Sequence, residues 1–236
     1  MNKFKIASYN IHKCIGIDKK FDPYRIIKVI AEINPDIICL QEADKRFGNK
    51  KGLLDLKYLE QITGLKTAPI ITKKPNSHGW HGNLLLFRRF KLAYLQQITL
   101  PKIEPRGALI TELQINNKNL LVISAHLGLL KKTRIKQIKY LMEILAKYPS
   151  RPVILLGDFN EWRRTSNSSL NYLNHLFNIT QKNIPTFPAN FPILPLDKIF
   201  ANPTQIISQI KAHDTILARK ASDHLPITAI LHTDRL

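Results

Sequence analysis

The chain has 236 residues, 44% hydrophobic and 22% charged, which is the profile of an ordinary globular protein long enough to bury a sizeable core. Lysine and arginine number 36 against 17 acidic residues, and the net charge of +19 attracts nucleic acid, anionic lipid or phosphorylated metabolites, although it also fits a solubility adaptation. No apolar run approaches the roughly 20 residues that span a bilayer and no secretory signal opens the chain, so we expect a cytoplasmic protein with no transmembrane segment.

The N-terminal part of the chain is predicted to alternate strands with helices. Polar and apolar residues alternate over 3–10 as in a strand, and Ile26, Ile30 and Ile33 share one face of a helix that Asp22-Pro23 would start. The predicted elements, in order, are a strand over 3–10, a helix over 22–33, a buried strand over 36–40, a helix over 53–63 and a strand over 67–72.

The middle of the chain is predicted to form antiparallel strands followed by the strongest helix. The strand segments lie so close together that hairpins are favoured, with Asn116-Asn117 as one turn. A helix over 132–147 has a continuous apolar face and precedes a buried strand over 153–156 that ends at Gly157. The four strands are predicted over 83–88, 92–99, 107–115 and 119–126, and the helix face comprises Ile135, Ile138, Leu141, Met142 and Leu145.

The C-terminal third is predicted to hold strands over 196–201, 205–211 and 226–232, after a long proline-containing loop over 180–195. Strands outnumber helices, whereas a single doubly wound sheet would need a more regular alternation, so we predict an α/β fold with two packed sheets and helices outside. No linker, hinge or repeat divides the sequence, and one domain is expected over 1–236. Cys14 and Cys39 lie in apolar or strand-like runs and are predicted to be free thiols.

Polar side chains stand where several predicted strands end or begin. A rigid sheet brings such positions together from distant parts of the chain. Taken singly, a lone Asp after Gly is usually a turn former and a lone His is often structural or exposed. Their repetition at five strand ends indicates a functional site. The residues are Asn10, Glu42, His126, Asp158 with Asn160, and Asp223 with His224.

The types of these residues suit phosphoryl hydrolysis assisted by a divalent metal. Oxygen ligands such as Glu42, Asp223 and Asn10 suit Mg²⁺ or Mn²⁺ and not zinc. The sequence has no Cys/His cluster with zinc spacing, no Gly-x-Ser-x-Gly elbow and no Gly-x-x-x-x-Gly-Lys-Ser/Thr phosphate loop. A metal, a carboxylate that orients water and a histidine facing the phosphate predict a Mg²⁺- or Mn²⁺-dependent phosphodiesterase.

Five ordered motifs that span nearly the whole chain resemble the endonuclease/exonuclease/phosphatase superfamily of metal-dependent phosphodiesterases. The motifs are Ser8-Tyr9-Asn10-Ile11-His12, Pro35-Asp36-Ile37-Ile38-Cys39-Leu40-Gln41-Glu42, Gly157-Asp158-Phe159-Asn160, Leu196-Asp197-Lys198-Ile199-Phe200 and Ser222-Asp223-His224-Leu225-Pro226. His81-Gly82-Asn83, Arg106-Gly107-Ala108-Leu109 and Thr186-Phe187-Pro188 further resemble a small bacterial branch. The resemblance implies a four-layer α/β/β/α sandwich of the DNase I-like type, in agreement with two packed sheets.

The resemblance also implies how the metal and the attacking water would be held. Glu42 would be the principal metal ligand with Asn10 beside it, and Asp223 would lie behind that metal or hold a second one. Asp158 would orient or deprotonate the attacking water. Asn160 would bind the phosphate or help to place the nucleophile.

The resemblance implies separate roles for the two histidines. His224 would contact a nonbridging phosphate oxygen, and Asp197 would hold His224 in one tautomer and favour its charged form. His126 matches the branch with histidine at this position and would be a general acid or a phosphate-binding group. Abasic-site nucleases differ from this chain at His12 and at Leu127-Gly128-Leu129, so abasic-site repair is disfavoured.

The substrate is predicted to be nucleic acid, DNA or RNA, on the strength of the positive charge and of basic stretches such as Arg163-Arg164. Trp80 and Trp162 would stack on bases, lie at a lipid interface or serve ordinary packing. The residues expected to bind substrate are Asn83, Arg106, Trp162, Arg163, Arg164 and Thr186.

Other functions stay open at this point. An anionic phospholipid would suit the basic surface, since related members cleave sphingomyelin, and the apolar segment around Phe187, Phe191, Pro192 and Ile193 would enter the lipid or pack as a lid. A small-molecule phosphatase is a further alternative, and a non-catalytic polyanion-binding module is a weaker one because no motif position is broken. We expect a monomer.

Overall fold

Strands whose central members are buried on both faces build two β-sheets that pack face to face. The computed structural model describes residues 2–45, 48, 51–72, 74, 76–101, 104–115, 117–163, 166–178 and 183–236. The strands are β1 (Lys3–Asn10), β2 (Ile37–Gln41), β3 (Lys66–Thr67), β4 (Leu84–Phe87), β5 (Lys91–Thr99), β6 (Gly107–Ile115), β7 (Lys118–His126), β8 (Val153–Asp158), β9 (Asp197–Asn202), β10 (Ile207–Ala212) and β11 (Ile227–His232). The helices are α1 (Pro23–Ile33), α2 (Leu56–Thr63), α3 (Lys131–Leu145) and α4 (Ile216–Ala221).

Each sheet is mixed and contains one parallel pair. The first sheet has the order β10-β11-β1-β2-β4-β3, and only β1 and β2 are parallel neighbours in it. The second sheet has the order β5-β6-β7-β8-β9, with β7 and β8 parallel. In both sheets, therefore, two neighbouring strands end at the same edge, which is where loop residues from both strands meet.

Three hydrophobic clusters account for the layers. The middle cluster takes alternate side chains of both sheets, such as Ile37 of β2 and Ile154 of β8, and forms the core between them. An outer cluster joins the opposite face of the first sheet to α1, α2 and α4, and another joins the second sheet to α3. This arrangement confirms the predicted α/β/β/α sandwich. None of the helices within the described residues is long and apolar enough to cross a membrane.

Most predicted elements are present, but the hairpin predicted between the segments over 83–88 and 92–99 is wrong. β4 pairs with β2 and β3 in the first sheet, while β5 begins the second sheet. Between them, Arg88 bonds Asp36 (3.2 Å) and the carbonyl oxygen of Thr63, and Arg89 has a left-handed φ of 66°. The chain turns out of one sheet here, so sequence proximity does not translate into pairing. Asn117 forms the β6–β7 turn with a φ of 60°, whereas Asn116 lies outside the described residues.

Three local predictions are corrected. The strand expected over 67–72 is only β3, because Pro69 cannot donate to a ladder. α2 begins at Leu56 and not at 53, since the side chain of Asp55 caps it by accepting from the amide of Tyr58 (3.0 Å). The helix α4 was not predicted, although Thr215 provides a similar cap.

The buried face of α3 differs from its predicted apolar face. Ile138, Leu141 and Leu145 are buried as predicted, but Ile135 and Met142 are only half-buried. Arg134 and Gln137 take part of the inner face instead. These two polar side chains are buried because both form hydrogen bonds with the backbone of the loop that follows β7.

Candidate active site

Four of the predicted site residues lie at strand ends and continue the inner face of the sandwich. Side chains in a strand alternate between its two faces, so residues separated by an even number point the same way. Ile154, four residues before Asp158 in β8, packs between the sheets. In each of the other three strands, the residue four positions from the site residue also packs there. The four residues are Asn10 of β1, His126 of β7, Asp158 of β8 and Asp197 of β9.

Asp158 is the centre of this cluster and is almost fully buried. Its Oδ2 accepts a hydrogen bond from Nδ2 of Asn10 at 3.0 Å. The same oxygen lies 3.3 Å from Nε2 of His126 and 3.9 Å from Nε2 of His224. Side chains from β1, β7 and the segment before β11 thus converge on a single carboxylate of β8.

Burial shifts the protonation of Asp158. Removal from water is the main cause that raises its pKa to about 6, and the nearby charge of Asp197 acts in the same direction. The positive charge of His224 and the hydrogen bonds from Asn160 and Asn10 oppose the rise. The result is a carboxyl group that gains or loses its proton near neutral pH, as a general base requires.

His224 is held by a buried carboxylate on its other side. Its Nδ1 lies 2.8 Å from Oδ2 of Asp197, and the hydroxyl of Thr186 donates to the same oxygen at 2.6 Å. The ring of Phe187 packs on the imidazole with 4.9 Å between ring centres. Burial alone would lower the pKa of His224, but Asp197 and Asp158 outweigh it and raise the pKa to about 10. His224 therefore carries its charge at neutral pH with Nε2 directed at Asp158.

The turn after β8 orients Asn160 behind Asp158. Gly157 has a φ of 149°, and a side chain there would collide with the carbonyl oxygen of Ala125 in the neighbouring strand. The amide of Asn160 donates to Oδ1 of Asp158 at 2.9 Å, and its Nδ2 donates to the carbonyl oxygen of Leu127 at 3.0 Å. Asn160 thus joins the ends of β7 and β8.

His126 lies between a cation and an anion. Nη1 of Arg106 is 2.9 Å from Nδ1 and 2.8 Å from Nε2 of the ring, and Asp158 is 3.3 Å from Nε2. Glu104 accepts from Nη2 of Arg106 at 3.1 Å and fixes the guanidinium in place.

Glu42 presents a carboxylate that is paired with a cationic group. Its backbone has a left-handed φ of 59° directly after β2, and Gly82 packs against that backbone. Oε2 is buried and makes no hydrogen bond of good geometry within the described part of the chain, but the ammonium of Lys13 lies in ion-pair contact with it. A positive charge therefore already occupies the place beside Glu42 where a metal cation would bind.

The other predicted metal ligands are close by but engaged within the protein. Oδ1 of Asn10 accepts from the amide of His12 at 3.1 Å, and Oδ1 of Asp223 lies 3.6 Å from Nδ1 of the same histidine. Within the described part of the chain, no three His, Cys, Asp or Glu side chains are grouped to hold a metal. Mg²⁺ usually takes only one or two protein carboxylates and keeps several waters, so the residues present fit such an ion.

The residues expected to bind substrate fall into three groups. Asn83 is buried and donates to the carbonyl oxygens of Trp80 and Gly107, both at 3.1 Å, while Thr186 bonds Asp197. Arg106 lines a cleft together with Glu42 and His126. Trp162 is exposed, and the guanidinium of Arg163 lies 4.9 Å from its ring centre. Arg164 lies outside the described residues.

Sequence reasoning missed an ion pair that supports the site. The buried Arg134 of α3 donates to the carboxylate of Glu161 at 3.1 Å, and to the carbonyl oxygens of Gly128 and Leu129. It thereby ties the loop after His126 to the loop after Asn160. A signal was available, because Arg134 stands on the helical stripe of Ile138 and Leu141, where a charged residue must be paired.

A sandwich with this cluster of carboxylate, amide and imidazole groups at its mouth defines a DNase I-like phosphoesterase. Residues 7–224 match the Endonuclease/Exonuclease/phosphatase family, and the chain belongs to that family. Its members are phosphodiesterases or phosphatases and are generally dependent on divalent metals, which supports a hydrolase of phosphate esters. The resemblance seen in the five motifs is thereby confirmed.

Relatives and solved structures share most of their length with this chain. It is 27% identical over 247 residues to the uncharacterized protein YbhP of Escherichia coli strain K12 and of Shigella flexneri, covering 97% of this chain and 96% of theirs. The mannosyl-6-phosphatase Bt3783 of Bacteroides thetaiotaomicron superposes with a TM-score of 0.73 at 17% identity, over 96% of this chain and 98% of that one. D. rerio TDP2 complexed with single strand DNA product gives a TM-score of 0.70 at 16% identity, over 99% and 100%. At these identities the two structures share the fold alone.

Proposed function

We propose that the chain is a divalent-metal-dependent phosphodiesterase and that it acts as a nuclease on DNA or RNA. The observation that carries the proposal is the convergence of Asn10, His126 and His224 on the buried carboxylate of Asp158. Groups that can accept a proton, donate one and bear positive charge lie within one hydrogen-bonded cluster. Such a set suits hydrolysis of a phosphate ester by water.

Each group has a role that its surroundings support. Asp158 accepts the proton of the attacking water, because burial raises its pKa to about 6 and makes it a stronger base than an exposed carboxylate. His224, charged because of Asp197, stabilises the negative charge that grows on the phosphate oxygens. His126, whose Nε2 lies 3.3 Å from Asp158, is placed to donate a proton to the leaving group. Asn160 orients Asp158 through its amide.

Glu42 and Asn10, with Asp223 nearby, would hold the Mg²⁺ or Mn²⁺ ion. The buried Oε2 of Glu42, which makes no hydrogen bond with the described residues and lies against the Lys13 ammonium, supports this assignment. The ion would supply Lewis acidity and charge neutralisation at the phosphate. Release of Lys13 from Glu42 would accompany its binding.

Nucleic acid is the substrate that the charge favours. A net charge of +19 attracts a polyanion, and Arg163 stacks on the exposed Trp162 beside the loop of Asn160. The likeness to TDP2, solved with a single strand DNA product, agrees with this choice. The likeness to a mannosyl-6-phosphatase keeps a small phosphate ester as the competing substrate.

A panel of substrates distinguishes these activities. Plasmid DNA, RNA, bis(4-nitrophenyl) phosphate, 4-nitrophenyl phosphate and anionic liposomes are incubated with the protein and Mg²⁺, Mn²⁺ or EDTA. We expect cleavage of nucleic acid and of the chromogenic diester that EDTA abolishes. Turnover of the monoester alone would contradict the diesterase assignment and favour a phosphatase.

A lipid phosphodiesterase is the second candidate, because apolar side chains are exposed near the site. Phe191 and Ile193, in the loop before β9, are 70% and 54% exposed, while Phe187 packs on His224. Leu129 and Leu130 after β7 are also exposed. An apolar rim on a basic protein suits an anionic membrane surface. Metal-dependent release of lipid products without cleavage of DNA or RNA in the same panel would establish this candidate against the nuclease.

A further inference from the structure

A cleft opens beside Glu42 and His126 and receives cationic side chains from four separate segments of the chain. Lys13 comes from the turn after β1, Lys45 and Lys74 from the loops between β2 and β4, and Arg106 from the start of β6. These positions are far apart in sequence. The fold therefore concentrates positive charge at one place next to the candidate active site.

The walls of the cleft are fixed by hydrogen bonds to the backbone. Nε1 of Trp80 donates to the carbonyl oxygen of Ile98 at 2.9 Å, which holds the indole at the cleft wall. The two carboxylate oxygens of Asp44 accept from the amides of His78 at 2.7 Å and Gly79 at 3.0 Å. A site with such rigid walls needs little ordering when a ligand enters.

The charges within the cleft leave an excess of cations for a ligand. Of the acidic residues that line it, Asp44 is bonded to main-chain amides, and Glu42 is the proposed metal ligand. Lys45 and Lys74 are exposed at its rim, whereas the guanidinium of Arg106 is bonded to Glu104 and lies against His126. Two exposed ammonium groups at the rim of a cationic cleft match the oxygens of an anion.

We propose that this cleft is a subsite for a second phosphate of the substrate, next to the phosphate that reacts at Asp158. The inference rests on the proposed nuclease function and sharpens it. Lys45 and Lys74 bind the flanking phosphate, and Trp80 forms the wall beside the attached nucleoside. The chain therefore selects phosphodiesters that carry a neighbouring phosphate over those that carry none.

The test uses one of the two tryptophans of the chain as the reporter. In a Trp162→Phe variant, Trp80 is the sole tryptophan, and its fluorescence is followed during titration with thymidine 3′,5′-bisphosphate or thymidine 5′-monophosphate. We expect the bisphosphate to bind about tenfold more tightly, the size of effect expected from one added set of charge-assisted hydrogen bonds. In the same background, Lys45→Met with Lys74→Met is expected to remove that preference.

The matched control replaces Lys91 and Lys147 by methionine. Both are exposed, Lys91 at the opposite end of β5 and Lys147 just after α3, so the same charge is lost far from the cleft. We expect this control to keep the preference of about tenfold for the bisphosphate over the monophosphate. Equal affinities for the two nucleotides in the parent protein, or equal losses in both double variants, would overturn the subsite. Because binding is measured without turnover, a protein that shows the preference but cleaves no nucleic acid would refute the nuclease proposal and not the subsite.

Discussion

At the scale of single residues, Asp158 and His224 have pKa values displaced in the same direction with opposite consequences for charge. Asp158 ionises only above about 6 because it is buried, whereas His224 stays charged up to about 10 because of Asp197 and Asp158. The proposed reaction needs an ionised Asp158 and a charged His224, and both conditions are met only between pH values of about 6 and about 10. We expect kcat/KM for bis(4-nitrophenyl) phosphate to rise as pH increases through about 6 and to fall through about 10.

Substitution of Asp197 tests the alkaline side of this profile. Asp197→Asn removes the negative charge beside the imidazolium, so the pKa of His224 falls and the alkaline limb moves to lower pH. The position of the His224 ring signals in NMR spectra recorded against pH checks the same shift without turnover. An alkaline limb that does not move in the variant would contradict the role of the Asp197–His224 pair.

Lys13 is a second residue with a measurable consequence, because its ammonium lies on the carboxylate proposed to hold the metal. A divalent ion must displace that ammonium. We expect Lys13→Met to bind Mn²⁺ at least about tenfold more tightly than the native chain, since no ion pair opposes the metal. Calorimetric titration with Mn²⁺ measures this directly.

Lys45→Met is the matched control for Lys13, since it removes the same charge from the same cleft without touching Glu42. A general change in electrostatic potential would affect both variants alike. If Lys13→Met bound Mn²⁺ no more tightly than Lys45→Met, competition at Glu42 would be excluded.

At the scale of elements, α3 controls the two loops that carry the site. Arg134 is buried and bonded to Glu161, whose carboxylate also accepts from the amide and hydroxyl of Ser169 at 2.9 and 2.7 Å. Burial would raise the pKa of Glu161, but these bonds and the charge of Arg134 lower it to about 2. The pair is therefore ionised at neutral pH.

Loss of one partner leaves a buried charge without compensation. We expect Arg134→Met to lower the free energy of unfolding by about 3–5 kcal/mol in urea titrations. Arg219→Met breaks an exposed pair with Asp214 and serves as the control, for which a far smaller change is expected. The double variant Arg134→Met with Glu161→Leu should regain part of the loss. Equal losses of unfolding free energy for the two arginine substitutions would refute the stabilising role of the Arg134–Glu161 pair.

The elements that the sequence predicts well are those with strong local signals. β1 lies where the alternation of polar and apolar residues predicted it, and α1 begins at its predicted cap, where the side chain of Asp22 accepts from the amide of Arg25. The pairing of β4 was not predictable in the same way, because its partners β2 and β3 are remote and the break at Arg88 depends on Asp36. Pairing between distant segments is a tertiary property that local patterns do not contain.

The site residues show the same division. Asn10 and Asp158 stand at strand ends and were found by position, whereas Asp197 was found only through the motif that resembles the family. Lys13 and Glu161 were not found, since neither stands at the end of a strand and each acts through an ion pair with a distant segment. Charged residues within apolar stripes, such as Arg134, are the signal that would have revealed the supporting pair.

At the scale of the whole molecule, each sheet contains one parallel pair of strands. The ends of both pairs lie at the same edge of the sandwich, which we call its mouth. Asn10 and Glu42 come from the β1–β2 side, while His126 and Asp158 come from β7–β8. The hydrogen bond from Asn10 to Asp158 crosses between the sheets at 3.0 Å. The proposed catalytic set therefore exists only when the sandwich is assembled, and the charge of +19 attracts a polyanion to that mouth.

The most direct test of the account is the hydrolysis of bis(4-nitrophenyl) phosphate by Asp158→Asn. This change keeps the size of the side chain and removes its ability to accept a proton, so kcat/KM is expected to fall by about 10²–10⁴-fold in the presence of Mg²⁺ or Mn²⁺. Asp234→Asn, which makes the same change at an exposed position near the C-terminus, should retain native activity. Equal activity of the Asp158→Asn and Asp234→Asn proteins would contradict an active site centred on Asp158.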